Sequence, residues 1–107
     1  MRTVLVSSVL LSSLMSFAVQ AADFTVDQNK ERFNMDSLSV KVGDNINFTN
    51  SDTVKHNLTV VTPEEESNNL GTEPPGAVVK YSPPKKGTYD IRCKIHPTMK
   101  MKIKVEG

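Results

Sequence analysis

The C-terminal end of the chain carries a strict alternation of apolar and polar residues, and this feature most constrains the fold. The alternating segment comprises Met99, Lys100, Met101, Lys102, Ile103, Lys104, Val105 and Glu106. Successive side chains of a β-strand point to opposite faces of a sheet, whereas an α-helix repeats every 3.6 residues. The segment from 99 to 106 is therefore predicted to be a strand with one buried and one solvated face.

Other segments share this two-residue period, and we find no helical spacing of apolar residues after the N-terminal region. We predict a β-hairpin over residues 38–50 that turns at Gly43-Asp44, and further strands over 57–62, about 77–82 and 88–93. Residues 63–76 are predicted to be a solvated surface loop because they are rich in Glu, Pro and Asn. Short strands separated by turn residues favour an all-β class and a single-domain antiparallel β-sandwich.

The N-terminus has the order of features found in a secretory signal peptide. Arg2 is followed by an apolar stretch, and the small residues Val19 and Ala21 precede the polar Asp23. We predict a signal peptide over residues 1–21, cleavage between Ala21 and Ala22, and a periplasmic domain over 22–107. A membrane anchor is the alternative, but the stretch is interrupted by serines and is shorter than the roughly 20 residues that span a bilayer.

The charge balance and the single cysteine limit the kinds of partner and cofactor that this chain is expected to have. Without Arg2 the chain has 12 basic and 12 acidic residues, so its net charge indicates neither nucleic acid nor a membrane surface as a partner. Cys93 is the only cysteine, and an unpaired thiol is a liability in an oxidising compartment. A bound metal would protect it.

Four side chains form a candidate metal site, namely His56, Cys93, His96 and Met99. Each alone has an ordinary explanation, as a surface histidine, a buried thiol or a core methionine. Together they match a type 1 copper centre, with two imidazoles, one thiolate and a weak axial thioether. Structural zinc usually takes four Cys or His ligands, so copper fits better. Four protein ligands leave no position for a substrate, and no acid–base cluster accompanies them, so we do not expect an enzyme.

At these residues the chain resembles the cupredoxin family, and within it the amicyanins more than the plastocyanins and pseudoazurins. The similar motifs are Val40-Lys41-Val42-Gly43-Asp44, His56-Asn57, Gly87-Thr88-Tyr89-Asp90 and Cys93-x-x-His96-Pro97-x-Met99. The resemblance implies an eight-stranded Greek-key sandwich with copper at one end and electron transfer through the exposed edge of His96. It also implies that Asn57 braces the ligand loop and that its backbone N–H points at the Cys93 sulfur.

The sequence leaves the axial ligand and the function open. Met99 is expected to be the axial ligand, because the amicyanin spacing fits it, while the longer plastocyanin spacing would select Met101. The function expected first is a monomeric electron carrier for redox proteins such as a dehydrogenase or a c-type cytochrome. Copper storage or delivery and a metal-free interaction module are the alternatives. Lys94, Lys100 and Lys55 would form a positive rim around the edge of His96.

Overall fold

The computed structural model describes residues 20–107, so nearly all of the predicted signal peptide lies outside the described residues. This part of the chain is built from strands and turns, and none of its segments is a helix long and apolar enough to cross a membrane. The strands are β1 (Asp23–Asn29), β2 (Arg32–Phe33), β3 (Ser37–Lys41), β4 (Asn45–Asn50), β5 (His56–Val61), β6 (Ser67–Glu73), β7 (Val78–Tyr81), β8 (Gly87–Arg92) and β9 (Lys100–Glu106).

The strands form two sheets that enclose one hydrophobic core. One sheet has the order β2-β1-β4-β7 and the other β3-β9-β8-β5-β6. β1 pairs with β4, and β3 with β9, in parallel, while the other pairs are antiparallel. The predicted all-β sandwich in a single domain is confirmed, but both sheets are mixed and not purely antiparallel as predicted.

The predicted hairpin over residues 38–50 is wrong. β3 pairs with β9 in one sheet, and β4 pairs with β1 and β7 in the other. The turn between them is a corner that crosses the sandwich, with Gly43 at a φ of 92°. The Asp44 carboxylate closes this corner by accepting hydrogen bonds from the backbone N–H groups of Lys41, at 2.8 Å, and Ala22, at 3.0 Å. Two alternating segments joined by a turn occur both in a hairpin, where they pair with each other, and in a corner, where they lie in different sheets. The sequence pattern therefore does not distinguish the two arrangements.

The segment predicted as a loop over residues 63–76 contains strand β6, which is an edge strand paired with β5. Most of its side chains are exposed, so it lacks the apolar alternation by which a strand is recognised. β1 and β2 were also not predicted. In β1 the alternation of Phe24 and Val26 ends at Gln28, a polar residue that is nevertheless fully buried.

The C-terminal alternation is confirmed in its essentials. Met101, Ile103 and Val105 are buried, while Lys100, Lys102 and Lys104 are exposed. β9 begins one residue later than predicted, and Met99 is buried immediately before it. Arg92 and Lys100 form the last residue pair of the β8–β9 ladder, so the segment from 93 to 99 closes one end of the sandwich.

Gln28 and Glu73 form a polar pair in the interior. Both side chains are fully buried, and Gln28 Nε2 donates to Glu73 Oε2 at 3.1 Å. The amide oxygen of Gln28, Oε1, and the second carboxyl oxygen of Glu73, also Oε1, have no hydrogen-bond donor. Burial raises the pKa of Glu73 to about 7, against the opposing effect of the Gln28 hydrogen bond. A protonated Glu73 would supply an O–H donor in a place where Gln28 Oε1 and Glu73 Oε1 have none. Protonation therefore stabilises the buried pair, which is the physical reason for the raised pKa of Glu73.

Replacing Glu73 with Gln should therefore remove a pH dependence of stability. The pKa of this carboxyl is 4.5 when unperturbed and about 7 in the fold, so the folded state binds more protons between these values. Wild-type stability should fall as pH rises through that window, by up to about 1.4 kcal/mol per pH unit. Urea unfolding of the metal-free proteins at pH 4.5 to 8 measures this, and Glu73→Gln should gain stability over wild type as pH rises. Parallel curves would contradict the assignment.

Candidate metal centre

Three of the four residues predicted as ligands meet at one end of the sandwich. His56 begins β5, and Cys93 and His96 lie in the segment that joins β8 to β9. Cys93 Sγ is 3.9 Å from His56 Nδ1 and 3.8 Å from His96 Nδ1, and the two Nδ1 atoms are 3.1 Å apart. All three donor atoms lie within 4.8 Å of one another. The pairing of β5 with β8 brings them together across a separation of about 40 residues.

The environment of Cys93 is polar although the residue is buried. The backbone N–H of Asn57 donates to Cys93 Sγ at 3.2 Å. Asn57 Oδ1 accepts from the backbone N–H of Lys94 at 3.3 Å, and its Nδ2 group donates to Asn69 Oδ1 and to the carbonyl of Gly71 on β6. The expected direction of the Asn57 N–H and its bracing of the loop are both confirmed. The thiolate is the form of cysteine that binds metals, and this N–H would donate a hydrogen bond to it at the same time.

A carboxylate orients His56. This fully buried imidazole has its Nε2 atom 2.9 Å from Asp52 Oδ2. The backbone N–H of Glu31, and then the His56 side chain, lower the pKa of Asp52 to about 2. An ionised Asp52 favours the proton on Nε2 and leaves the Nδ1 lone pair directed at Cys93. Sequence reasoning missed Asp52, because an aspartate in a polar turn four residues before a histidine has no distinguishing local signal.

His96 has a similar arrangement nearer the surface. Its side chain is 19% exposed, and Nε2 is 3.4 Å from Glu31 Oε1. With a proton on each Nε2, beside its carboxylate, the two Nδ1 lone pairs would face each other next to the sulfur. Two lone pairs 3.1 Å apart repel unless a proton or a cation lies between them. Two imidazole nitrogens and a thiolate suit copper or zinc among the common metals, so the donor set fits a metal ion.

The two candidate axial methionines differ in position. Met99 follows the ligand loop just before β9, and its carbonyl accepts from the backbone N–H of Cys93 at 3.4 Å, which continues the β8–β9 register by one residue pair. Its own N–H donates to the carbonyl of His96 at 2.9 Å. Met101 lies one residue pair further from this end of the sheet, opposite Ile91. Both methionines are buried.

Comparison with known proteins places this arrangement in a family. The profile of the cupredoxin-like domain family matches residues 2–105. The methylamine utilization protein MauL of Methylorubrum extorquens is 32% identical over 95 residues, which cover 87% of this chain and 83% of that protein.

Solved structures of cupredoxins are also similar to this chain. A reduced, Cu(I) form of an amicyanin variant superposes with a TM-score of 0.72 at 29% identity, covering 82% of this chain and 86% of the other. A purple cupredoxin from Nitrosopumilus maritimus reaches a TM-score of 0.68 at 20% identity over 78% of this chain and all of the other, which shows a shared fold. On the family match and the extent of the similarity to MauL, the chain belongs to the cupredoxin-like domain family.

Proposed function

We propose that this protein carries single electrons on one type 1 copper held by His56, Cys93, His96 and Met99. The observation that carries the proposal is the convergence of two imidazole Nδ1 atoms on Cys93 Sγ, each ring having a carboxylate beside its Nε2 atom. Such a donor set accommodates both Cu(II) and Cu(I). The copper would supply the one-electron chemistry, and the protein would act as a carrier and not as an enzyme.

The contacts around the donors support fast electron transfer. Asp52 fixes the ring of His56, and Asn57 joins Cys93 and Lys94 to β6 through four hydrogen bonds. Donors held by the protein matrix move little when the charge at the site changes, so little reorganisation opposes the transfer. The burial of His56 and Cys93 also disfavours copper delivery, because release of the ion needs access to its ligands.

Met99 is the proposed axial ligand because of its register with Cys93. Side chains directly opposite each other on neighbouring antiparallel strands are about 5 Å apart at Cβ, while diagonal neighbours are about 7–8 Å apart. Continuing the β8–β9 register by one pair sets Met99 opposite Cys93, whereas Met101 is opposite Ile91 and is therefore the diagonal neighbour of Cys93. Met101 then packs in the core beneath the site.

The surface around His96 suits docking to another redox protein. Ile95, next to His96, is 42% exposed, and the exposed Lys94 and Lys100 are close to it in sequence. Val54, two residues before His56, is 39% exposed. An apolar centre with charges around it is typical of transient interfaces. A dehydrogenase or a c-type cytochrome is the proposed partner, with no nucleic acid and no membrane insertion, and the protein is proposed to be a monomer.

The proposed location is the periplasm, after cleavage of the signal peptide between Ala21 and Ala22. The backbone nitrogen of Ala22 lies 3.0 Å from Asp44 Oδ1. Cleavage at this bond would turn that nitrogen into an ammonium group beside a carboxylate, so the new N-terminus would have a partner of opposite charge.

Addition of Cu(II) to the purified protein tests the function. We expect an intense blue colour and a reversible one-electron reduction, and Cys93→Ser should abolish the colour because serine is a harder and less covalent donor. Circular dichroism of the Ser variant checks that the sandwich is retained. Colourless, tight Cu(I) binding would instead support copper storage or delivery, and a blue Ser variant would contradict the ligand assignment.

Exchange of each methionine for leucine tests the axial ligand. Met99→Leu should keep the blue colour and raise the reduction potential, because loss of a weak axial donor destabilises Cu(II) more than Cu(I). Met101→Leu should cost less than about 1.5 kcal/mol of packing and leave the potential unchanged. Voltammetry and urea unfolding of both variants measure these effects, and the opposite pattern would assign the role to Met101.

Charge reversal tests the docking surface. Lys94→Glu with Lys100→Glu should slow bimolecular electron transfer to an acidic c-type cytochrome and flatten or invert its salt dependence. The reduction potential should stay nearly constant. Lys86→Glu with Lys104→Glu makes the same change in charge near the opposite ends of β8 and β9, and stopped-flow rates should then change little. If both double variants changed the rate equally, a specific docking role for Lys94 and Lys100 would be contradicted.

A further inference from the structure

The tight turn between β1 and β2 places a carboxylate beside the metal centre. Lys30 and Glu31 form this turn in the left-handed backbone region, with φ values of 52° and 58°. Glu31 Oε1 lies 3.4 Å from Nε2 of His96, while the rest of the Glu31 side chain is largely in solvent, 59% exposed. Left-handed backbone is uncommon for residues other than glycine, so two such residues in succession mark a turn that its surroundings hold in place.

Asp52 ties this turn to the other histidine. The backbone N–H of Glu31 donates to Asp52 Oδ2 at 2.9 Å. The same oxygen lies 2.9 Å from Nε2 of His56. One continuous set of contacts therefore runs from His56 through Asp52 and Glu31 to His96, outside the ring of donor atoms. Each imidazole has a carboxylate beside its outer nitrogen.

His96 depends on such support more than His56 does. His56 is fully buried at the start of a strand that is paired on both sides, whereas His96 lies in the turn that closes the end of the sandwich. The ring of His96 is partly exposed, so neighbouring side chains restrict it less. A carboxylate at the outer nitrogen orients a histidine that binds a metal and makes its other nitrogen a stronger metal ligand.

The charge of Glu31 has a second effect. A copper site is more positive by one elementary charge when oxidised than when reduced, so a nearby carboxylate stabilises the oxidised form. The Glu31 side chain is exposed, and solvent weakens such an interaction to that of a surface ion pair. The effect should therefore be modest and should decrease as salt is added.

We propose that Glu31 is a positioning residue of the electron-transfer site, which orients His96 and lowers the reduction potential of the copper. This inference rests on the proposed function, because it concerns the potential of the bound metal. It assigns to the β1–β2 turn a role in tuning the site, in addition to its place at the edge of a sheet.

Two substitutions separate the charge of Glu31 from its position. Glu31→Gln removes the charge and keeps an acceptor oxygen, while Glu31→Ala removes both. Glu66→Gln is the control, because it removes the same charge from the turn between β5 and β6, at the end of β5 opposite His56. All three proteins are compared with wild type after loading with copper, at one pH and at low and high salt.

Glu31→Gln should shift the equilibrium with a redox mediator two- to fivefold toward Cu(I), which is about 18–41 mV at 59 mV per tenfold change. Added salt should reduce the shift, and Glu66→Gln should leave the equilibrium unchanged. In the reduced protein, the NMR signal of the His96 Nε2 proton should exchange with solvent faster in Glu31→Ala than in Glu31→Gln.

The outcomes distinguish this inference from the function on which it rests. A wild-type protein that binds copper without a blue band would overturn both. A blue wild-type protein with equal potentials for Glu31→Gln and Glu66→Gln would overturn the role of Glu31 alone. A shifted potential with identical proton exchange in Glu31→Ala and Glu31→Gln would overturn the positioning of His96.

Discussion

The pairing of β5 with β8 is the constraint on which the site depends. It sets Thr59 opposite Arg92, and so brings the start of β5 beside the residue that follows β8. The backbone N–H of Asn57 then reaches Cys93 Sγ, and His56 reaches both Cys93 and His96. Because side chains alternate between faces, a shift of this register by one residue would direct these groups to the wrong side of the sheet.

Around the donor atoms, the protein arranges negative groups and hydrogen bonds that fix the rings and the sulfur. Asp52 is held ionised by a backbone N–H and an imidazole, and it connects the β1–β2 turn with the start of β5. Asn57 connects the ligand loop with β6. Two edge regions of the sandwich, the β1–β2 turn and β6, are thus hydrogen-bonded to the residues around a candidate site at the ends of its central strands.

Much of the fold could be predicted from local patterns. The alternation from Met99 to Glu106 marked β9, because one face of that strand is buried and the other solvated. β6 was missed because an exposed edge strand can be polar on both faces, and β1 because Gln28 is buried with Glu73 as its polar partner. The corner at Gly43 was mistaken for a hairpin turn because partner choice is a tertiary property that a local pattern does not contain.

The sequence by itself determined the chemistry of the candidate site. The chain has one cysteine and two histidines, and Cys93, His96 and Met99 lie close together in sequence. Their donor atoms, with those of the distant His56, suit copper, and that inference needs no coordinates. Only the tertiary structure decided which methionine has its backbone bonded to Cys93 and which carboxylates lie beside the two imidazoles. Asp52 and Glu31 resemble any acidic residues of solvated turns. The position of Glu31 depends on a left-handed turn and on the placement of that turn and β2 beside residues 98–100, and both histidine contacts arise only when distant segments meet.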